Sequence, residues 1–230
     1  NAKYTEDKGG HTGEAGDRAM DFLVTPAGML VQDAEFLDIA SGINKVTISL
    51  WVKNHAILPN ATVFFALTST DNPGPDMEGR TRFASFHIPW GNENIYFDTA
   101  GCCSTATHRI VKNNSGFSWD EWHHYVFVKD ENHKSIWIDG ELFHEGDNTL
   151  PLPRNSDFFS VGSRPDLTAP FMGIVDDLAI FASALTEEQI IGLSEGNTDI
   201  LPEKRDPAPD LTISVVRNAD GTVTVTYTGK

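Results

Sequence analysis

Cysteine is nearly absent: the 230 residues hold two, adjacent at Cys102-Cys103. That excludes a scaffold built on disulfides. Basic residues are also scarce, with 17 Lys and Arg against 33 Asp and Glu, a net charge of −16 and a pI near 4.7. This balance argues against nucleic acid or an anionic membrane surface as partner. No apolar run approaches the ~20 residues of a membrane span, so membrane insertion is not expected. No G-x-S-x-G elbow, metalloprotease helix motif or internal repeat is present. No leader peptide opens the chain, which reads as mature or cut from a larger protein.

What remains is ample material for one core. Hydrophobic residues make up 40% of the chain, including five Trp and fourteen Phe. A single all-β domain of ~200–250 residues can use them. The stretch from Trp119 to Phe143 sets the pattern. Trp122, His124, Val126 and Val128 alternate with His123, Tyr125, Phe127 and Lys129, as on a strand. Ile136 and Ile138 alternate likewise, and Asp139-Gly140 supplies a hairpin turn that accepts positive φ. Further strands are expected at 45–53, 62–68, 82–88, 94–98, 107–112, 158–162 and 173–182. Residues 19–24 and 29–32 can pair as short strands around Pro26-Ala27-Gly28, and 34–39 reads as a helical turn closed by Ser41-Gly42. Pro and Gly make 71–79 a loop. One helix signal is strong: Thr186 as N-cap with Gln189 three residues on forms a capping box, and Gly196-Asn197 ends the helix.

Four ordered segments resemble laminin-G-like domains of the concanavalin A-like lectin/glucanase superfamily. They are Val46 to Lys53 (VTISLWVK), Trp122-His123-His124 with Ile136 to Gly140, Gly173 to Phe181 (GIVDDLAIF) and Ala184 to Ile190 (ALTEEQI). The resemblance implies an all-β, two-sheet antiparallel jelly-roll sandwich with one short C-terminal helix, over residues 18–196. Residues 1–17, polar and Gly-rich, are read as a loose lead-in, and 197–210 as a Pro-rich linker. Residues 211–230 read as a β-hairpin that either adds to the sandwich or, as the Pro-rich linker favours, begins a truncated second β domain.

The resembled group holds both enzymes and binding modules. Its glucanases carry alternating E-x-D-x-E carboxylates on one strand; Asp130-Glu131, Glu141 to Glu145 and Asp176-Asp177 all miss that alternation. The expectation is a non-catalytic carbohydrate-binding module of a larger secreted or surface bacterial protein. The alternative is a protein-binding adhesion domain or a structural spacer. An extracellular, surface or periplasmic address follows from either.

The candidate ligand site is the run from Phe86 to Arg109, which collects His87, Trp90, Asp98, Cys102, Cys103 and Arg109. Sugars stack their C–H faces on indole and pair their hydroxyls with Asp, Asn and Arg. The competing reading has Trp90 packing a loop and His87 satisfied inside a strand. Cys102-Cys103 admits a vicinal disulfide, favoured here and pointing to an oxidising compartment, as well as two buried thiols and, least, a zinc pair. A regular strand would send Asp176 and Asp177 to opposite faces, one of them beside Ile174, Leu178 and Ile180 on the core side. In the resembled group the late-strand Asp helps hold a structural Ca²⁺, so Asp176 and Asp177 are the metal candidates; Leu23 departs from the acidic residue often seen on the first strand. The competing reading has Asp176 bonded to turn amides. His123, His124, His133 and His144 resemble no ligand set and are read as packing residues.

Overall fold

Alternation organises the core. In β4 (Lys45–Asn54), Val46, Ile48, Leu50 and Val52 are all buried on one face. Its neighbour β9 (His123–Asp130) sends Tyr125 and Phe127 to the same side, and β10 (His133–Ile138) adds Ile136 and Ile138. The computed structural model describes residues 2–22, 28–69, 81–199, 201, 212–217 and 223–228. The expected loop at 71–79, Leu23, Pro26-Ala27 and most of the linker lie outside the described residues.

Two antiparallel sheets face each other within residues 1–197. The first has seven strands in the order β1-β2-β13-β4-β9-β10-β11, adding β1 (Lys3–Tyr4), β2 (Met20–Phe22), β11 (Glu141–Asp147) and β13 (Gly173–Phe181). The second has six in the order β3-β12-β5-β6-β7-β8. These are β3 (Met29–Gln32), β5 (Phe64–Thr68), β6 (Arg82–His87), β7 (Asn94–Thr99), β8 (Arg109–Asn113) and β12 (Ser156–Val161). Phe64, Phe86, Phe97 and Ile110 fill the inner face of the second sheet. Phe86 stacks on Phe127 across the sandwich with ring centroids 4.0 Å apart. Each such buried side chain contributes roughly 1.5–3 kcal/mol.

The outer face of the seven-stranded sheet is covered as well. Thr47 donates to the Ser183 carbonyl and accepts from the Leu185 amide, drawing that segment over β4. Helix α2 (Glu187–Ser194) follows, with its capping box made by Gln189 N–H to Thr186 Oγ1 and Thr186 N–H to Gln189 Oε1. Gly196, at φ 75°, and Asn197 close it with amide bonds to Leu193 and Gly192, the arrangement of a Schellman cap. The Asp139-Gly140 turn has φ of 52° and 81°, as a type I′ hairpin requires. Among the described residues no helix is long and apolar enough to cross a membrane.

Three local expectations are corrected. Strands β2 and β3 do not pair; β2 joins β13 and β3 joins β12, in different sheets. The helical turn near 34–39 becomes a 3-10 turn at Glu35–Leu37 and a helix, α1 (Asp38–Ile43), that runs through Gly42 to a left-handed Asn44. Residues 2–17, read as loose, are tied down: β1 pairs with β2, Thr5 N–H reaches Ala19, and Thr12 N–H reaches Asp17. Polarity here reflects a network of turn hydrogen bonds. Residues 198–230 form a second unit in which β14 (Thr212–Arg217) and β15 (Val223–Thr228) make an antiparallel hairpin.

Candidate functional site

Register builds the site. On the outer face of the six-stranded sheet, Ser85 lies opposite Asp98 and Asp98 opposite Arg109, a row across β6, β7 and β8. One step along, His87 lies opposite Tyr96. All of these point away from Phe86, Phe97 and Ile110, which alternate with them into the core.

Asp98 is fully buried at the centre of the row. Arg109 grips it as a fork, Nε to Oδ1 at 2.7 Å and Nη2 to Oδ2 at 2.6 Å. Arg82 adds Nη1 to Oδ2 at 3.1 Å, and the Cys103 amide donates to Oδ1 at 3.4 Å. Burial by itself would raise this carboxyl, but the hydrogen bonds and charge of Arg109, and then the charge of Arg82, outweigh it and hold Asp98 below the usual range. Such bidentate, charge-assisted bonds fix geometry as well as energy.

The guanidinium of Arg109 lies over Tyr96, 4.4 Å from the ring centroid. Tyr96 meets Trp90 edge-on at 6.3 Å, and Trp90 meets His87 edge-on at 4.6 Å. His87 is buried, with Nδ1 2.7 Å from the Ala61 carbonyl, so that nitrogen carries the proton. Burial pushes its pKa down to about 4 and keeps the ring neutral. Trp90 is half-buried in a turn where its own N–H reaches Asn94 and its carbonyl accepts from Glu93. The Tyr96 hydroxyl accepts from Asn92 at 2.8 Å and Asn94 at 2.9 Å, and Asn113 bonds both of these asparagines.

The structure brings the sulfurs of Cys102 and Cys103 together next to the site. Cys103 is exposed, with Sγ 3.7 Å from Arg109 Nη2. The base of this loop is anchored from the other sheet. Lys134 Nζ donates to the carbonyls of Phe97 and His108, and Asn148 Nδ2 to that of Thr107. Burial drives the Lys134 ammonium well below its ordinary range.

Five of the six ligand candidates therefore share one face, in different roles, and Cys102 adjoins it through Cys103. Trp90, Arg109 and Cys103 reach solvent, whereas Asp98 and His87 are enclosed and act on the others. Arg82 and the asparagines at 92, 94 and 113 escaped sequence reasoning. The cross-strand pairing of Asn94 with Asn113 is what gathers those amides, and pairing is not a local signal.

Asp176 and Asp177 depart from the regular-strand expectation. A bulge shifts the β13 register between Asp176 and Ala179, and Asp177 adopts φ 45°. Parity flips there: Val175 precedes the bulge on the core side, and Leu178 and Ile180 follow it on that side. Neither carboxylate enters the core. Asp176 lies opposite Trp51 on the outer face, beneath His11. The His11 backbone N–H donates to Asp176 Oδ2 at 2.9 Å, and its Nδ1 lies 3.2 Å from Asp176 and 3.6 Å from Asp177. Burial first, then the neighbouring Asp176 charge, raises the Asp177 carboxyl. His11, Asp17 and Asp176 bring metal-ligating atoms within 4.8 Å of one another. Calcium takes ~6–8 oxygens and has little use for imidazole. Here an imidazole closes the cluster, and the Asp177 and His11 amides already occupy both Asp176 oxygens. The residues do not fit calcium.

His123 and His124 point to opposite faces, as expected. His124 is buried against Ser49, with Nε2 to Oγ at 2.8 Å. Both ring nitrogens of His123 face acceptors, Asp139 at 2.6 Å and the Ser118 carbonyl at 3.1 Å. His133 meets Glu145 at 3.1 Å.

Comparisons with known proteins agree with this architecture. Domain 4 of an extracellular arabinanase from Geobacillus stearothermophilus, solved in complex with arabinotriose, superposes with a TM-score of 0.55 at 19% identity, covering 84% of this chain and 87% of that one. The binding domain of botulinum neurotoxin DC, in complex with SialylT, gives a TM-score of 0.60 at 13% identity over 94% of this chain and 51% of that one. A Trypanosoma rangeli sialidase gives 0.58 at 16% identity, covering 83% of this chain and 29% of the sialidase. No curated protein sequence matches. The laminin-G-like family model of the concanavalin A-like lectin/glucanases superfamily matches residues 32–191. With the two-sheet sandwich in place, that match over more than half of its length makes this chain a member of the laminin-G-like family within the concanavalin A-like lectin/glucanase superfamily.

Proposed function

We propose that this chain is a non-catalytic, lectin-like carbohydrate-binding module that serves a larger secreted or surface protein. The observation that carries the reading is the outer face of β6 to β8. There a half-buried Trp90, Tyr96 under the Arg109 guanidinium, and three asparagine amides share one surface. The indole offers a face to sugar C–H groups, and amides and guanidinium offer donors to hydroxyls. Asp98 serves this face indirectly, by fixing Arg109; held below the usual range between two guanidiniums, it is not suited to general-acid chemistry, and it is fully buried with both oxygens already hydrogen-bonded. Solved neighbours of the fold include domains bound to glycans, which supports a glycan partner.

The vicinal disulfide belongs to the same reading, as a stiff edge beside Arg109 that forms in an oxidising compartment. A protein-binding role draws support from a different surface. Phe36, Ile39 and Ile43 are 48%, 65% and 49% exposed, at spacings that align them along one side of α1 and the turn before it.

A glycan array separates the two readings. Binding to a defined glycan, lost in Trp90→Ala while the thermal midpoint stays put, supports the module reading. An array with no binder, alongside a protein partner whose affinity falls on Ile39→Asp, would transfer the function to α1.

A further inference from the structure

A second concavity lies on the seven-stranded sheet. Beneath the C-terminal end of α2, a hollow of about 380 Å³ is lined by Trp51, Asp139, Gly140, Glu141, Ser194 and Glu195. The turn and the helix end meet closely; a Cβ on Gly140 would come within 2.7 Å of Ser194 Oγ. No Lys, Arg or His lines it.

Apart from the apolar Ile191, its walls favour a positive charge. Glu141 and Glu195 are exposed and have no cationic partner among the described residues. Asp139 adds a third carboxylate, partly neutralised by His123 at 2.6 Å. The C-terminus of α2, the negative pole of its dipole, carries no basic residue in its last turn. Trp51 supplies an indole wall, half-exposed, with His11 stacked on it at 4.4 Å. Indole is the strongest cation–π partner among side chains. Between Trp51 and Asp139 sits His124, 2% exposed, its ring 5.2 Å from that of Trp51 and its Nδ1 without a hydrogen-bond partner. A buried polar atom left in this state is costly unless something supplies a partner.

We propose that this hollow is a second ligand site, which receives the ammonium group of a 2-amino-2-deoxy sugar. The Glu141 and Glu195 carboxylates take its N–H donors and Trp51 faces the charge. The choice of a sugar over other amines rests on the lectin-like reading, and the neighbouring surface supports it. A second hollow, about 260 Å³, shares Asp139 and Glu141 and continues past the turn to Phe117, Phe143 and Lys112, whose ammonium is already engaged by the Phe143 carbonyl at 2.8 Å. An oligosaccharide can lie across both, with one residue stacked on aromatic rings and the next held by its amine. A lone lysine side chain would fill only the first.

The test is isothermal titration calorimetry of the whole chain at physiological salt with a fully deacetylated glucosamine tetramer, its N-acetylated counterpart and a tri-lysine peptide. The deacetylated tetramer is expected to bind and the acetylated one to bind at least about tenfold more weakly, the ratio that losing ~1.4 kcal/mol produces. The double change E141Q/E195Q, at two exposed positions, is expected to weaken binding about tenfold or more. E187Q/E188Q, which removes the same charge at the other end of α2, should leave it unchanged. Equal loss in the two double variants would reduce the effect to bulk charge and overturn the proposal. So would equal binding of the acetylated tetramer, or absence of any binding. Binding of tri-lysine alone would assign the hollow to protein and overturn the sugar. Failure here with Trp90-dependent array binding intact leaves the first site standing.

Discussion

Taking the protein from about pH 7.5 to about pH 5 should remove about 4 kcal/mol of stability through two histidines. His87 and His124 are 3% and 2% exposed, and burial pushes each from 6.5 down to about 4. Both are depressed in the folded state, so their contribution is fully present above the unfolded pKa and is lost as pH falls toward the folded one. The window is therefore 6.5 down to about 4. At about pH 5 the unfolded imidazole is almost fully protonated and the native one is not, a difference of about 2 kcal/mol per residue. Two of them remove a large share of the ~5–15 kcal/mol that holds a typical domain together. His123 works in the other direction: burial alone would lower it, but the Asp139 hydrogen bond and charge raise it, so its stabilisation persists at low pH and fades as pH rises. Urea unfolding across this range, on the wild type and on His87→Asn, measures the effect. Asn keeps the donor to Ala61 and cannot titrate, so its stability should fall about 2 kcal/mol less than the wild type's between the two pH values. A variant with the same pH slope as the wild type would refute the assignment of a neutral, enclosed His87.

Other consequences follow from single contacts. Arg109→Ala leaves Asp98 buried with a weaker set of donors, and should cost about 3–5 kcal/mol in urea unfolding; Arg109→Lys, which keeps charge but loses the fork, should cost less. Calcium and chelator should both leave the thermal midpoint unchanged, because His11 and two amides already serve Asp176; a calcium-dependent rise of several degrees would contradict that donor analysis. Thiol titration of the unfolded, unreduced chain should find no free thiol, and two would return Cys102-Cys103 to the reduced reading.

Much of the architecture is legible from residue periodicity, because alternation is a local property. Val46 to Val52 alternates cleanly, Asp139-Gly140 can adopt φ values that few pairs tolerate, and Thr186 with Gln189 caps α2 as the spacing implies. What was missed depends on contacts between distant residues. His11 meets Asp176 across 165 positions, so the lead-in looks loose until the sheet exists. The bulge at Asp177 reverses strand parity without a glycine to signal it. The site shows both limits together: the Trp90 to Arg109 run stands out by composition, but only the register of β6 to β8 reveals that Asp98 is enclosed and that the asparagines surround Tyr96.

Solution mapping by backbone amide shifts addresses the central claim most directly, using the tightest-binding glycan from the array. Shifts gathered on residues 87–113, with Trp90, Tyr96 and Arg109 among the largest, are the predicted result. A glycan that binds the chain and leaves those residues unmoved would contradict it.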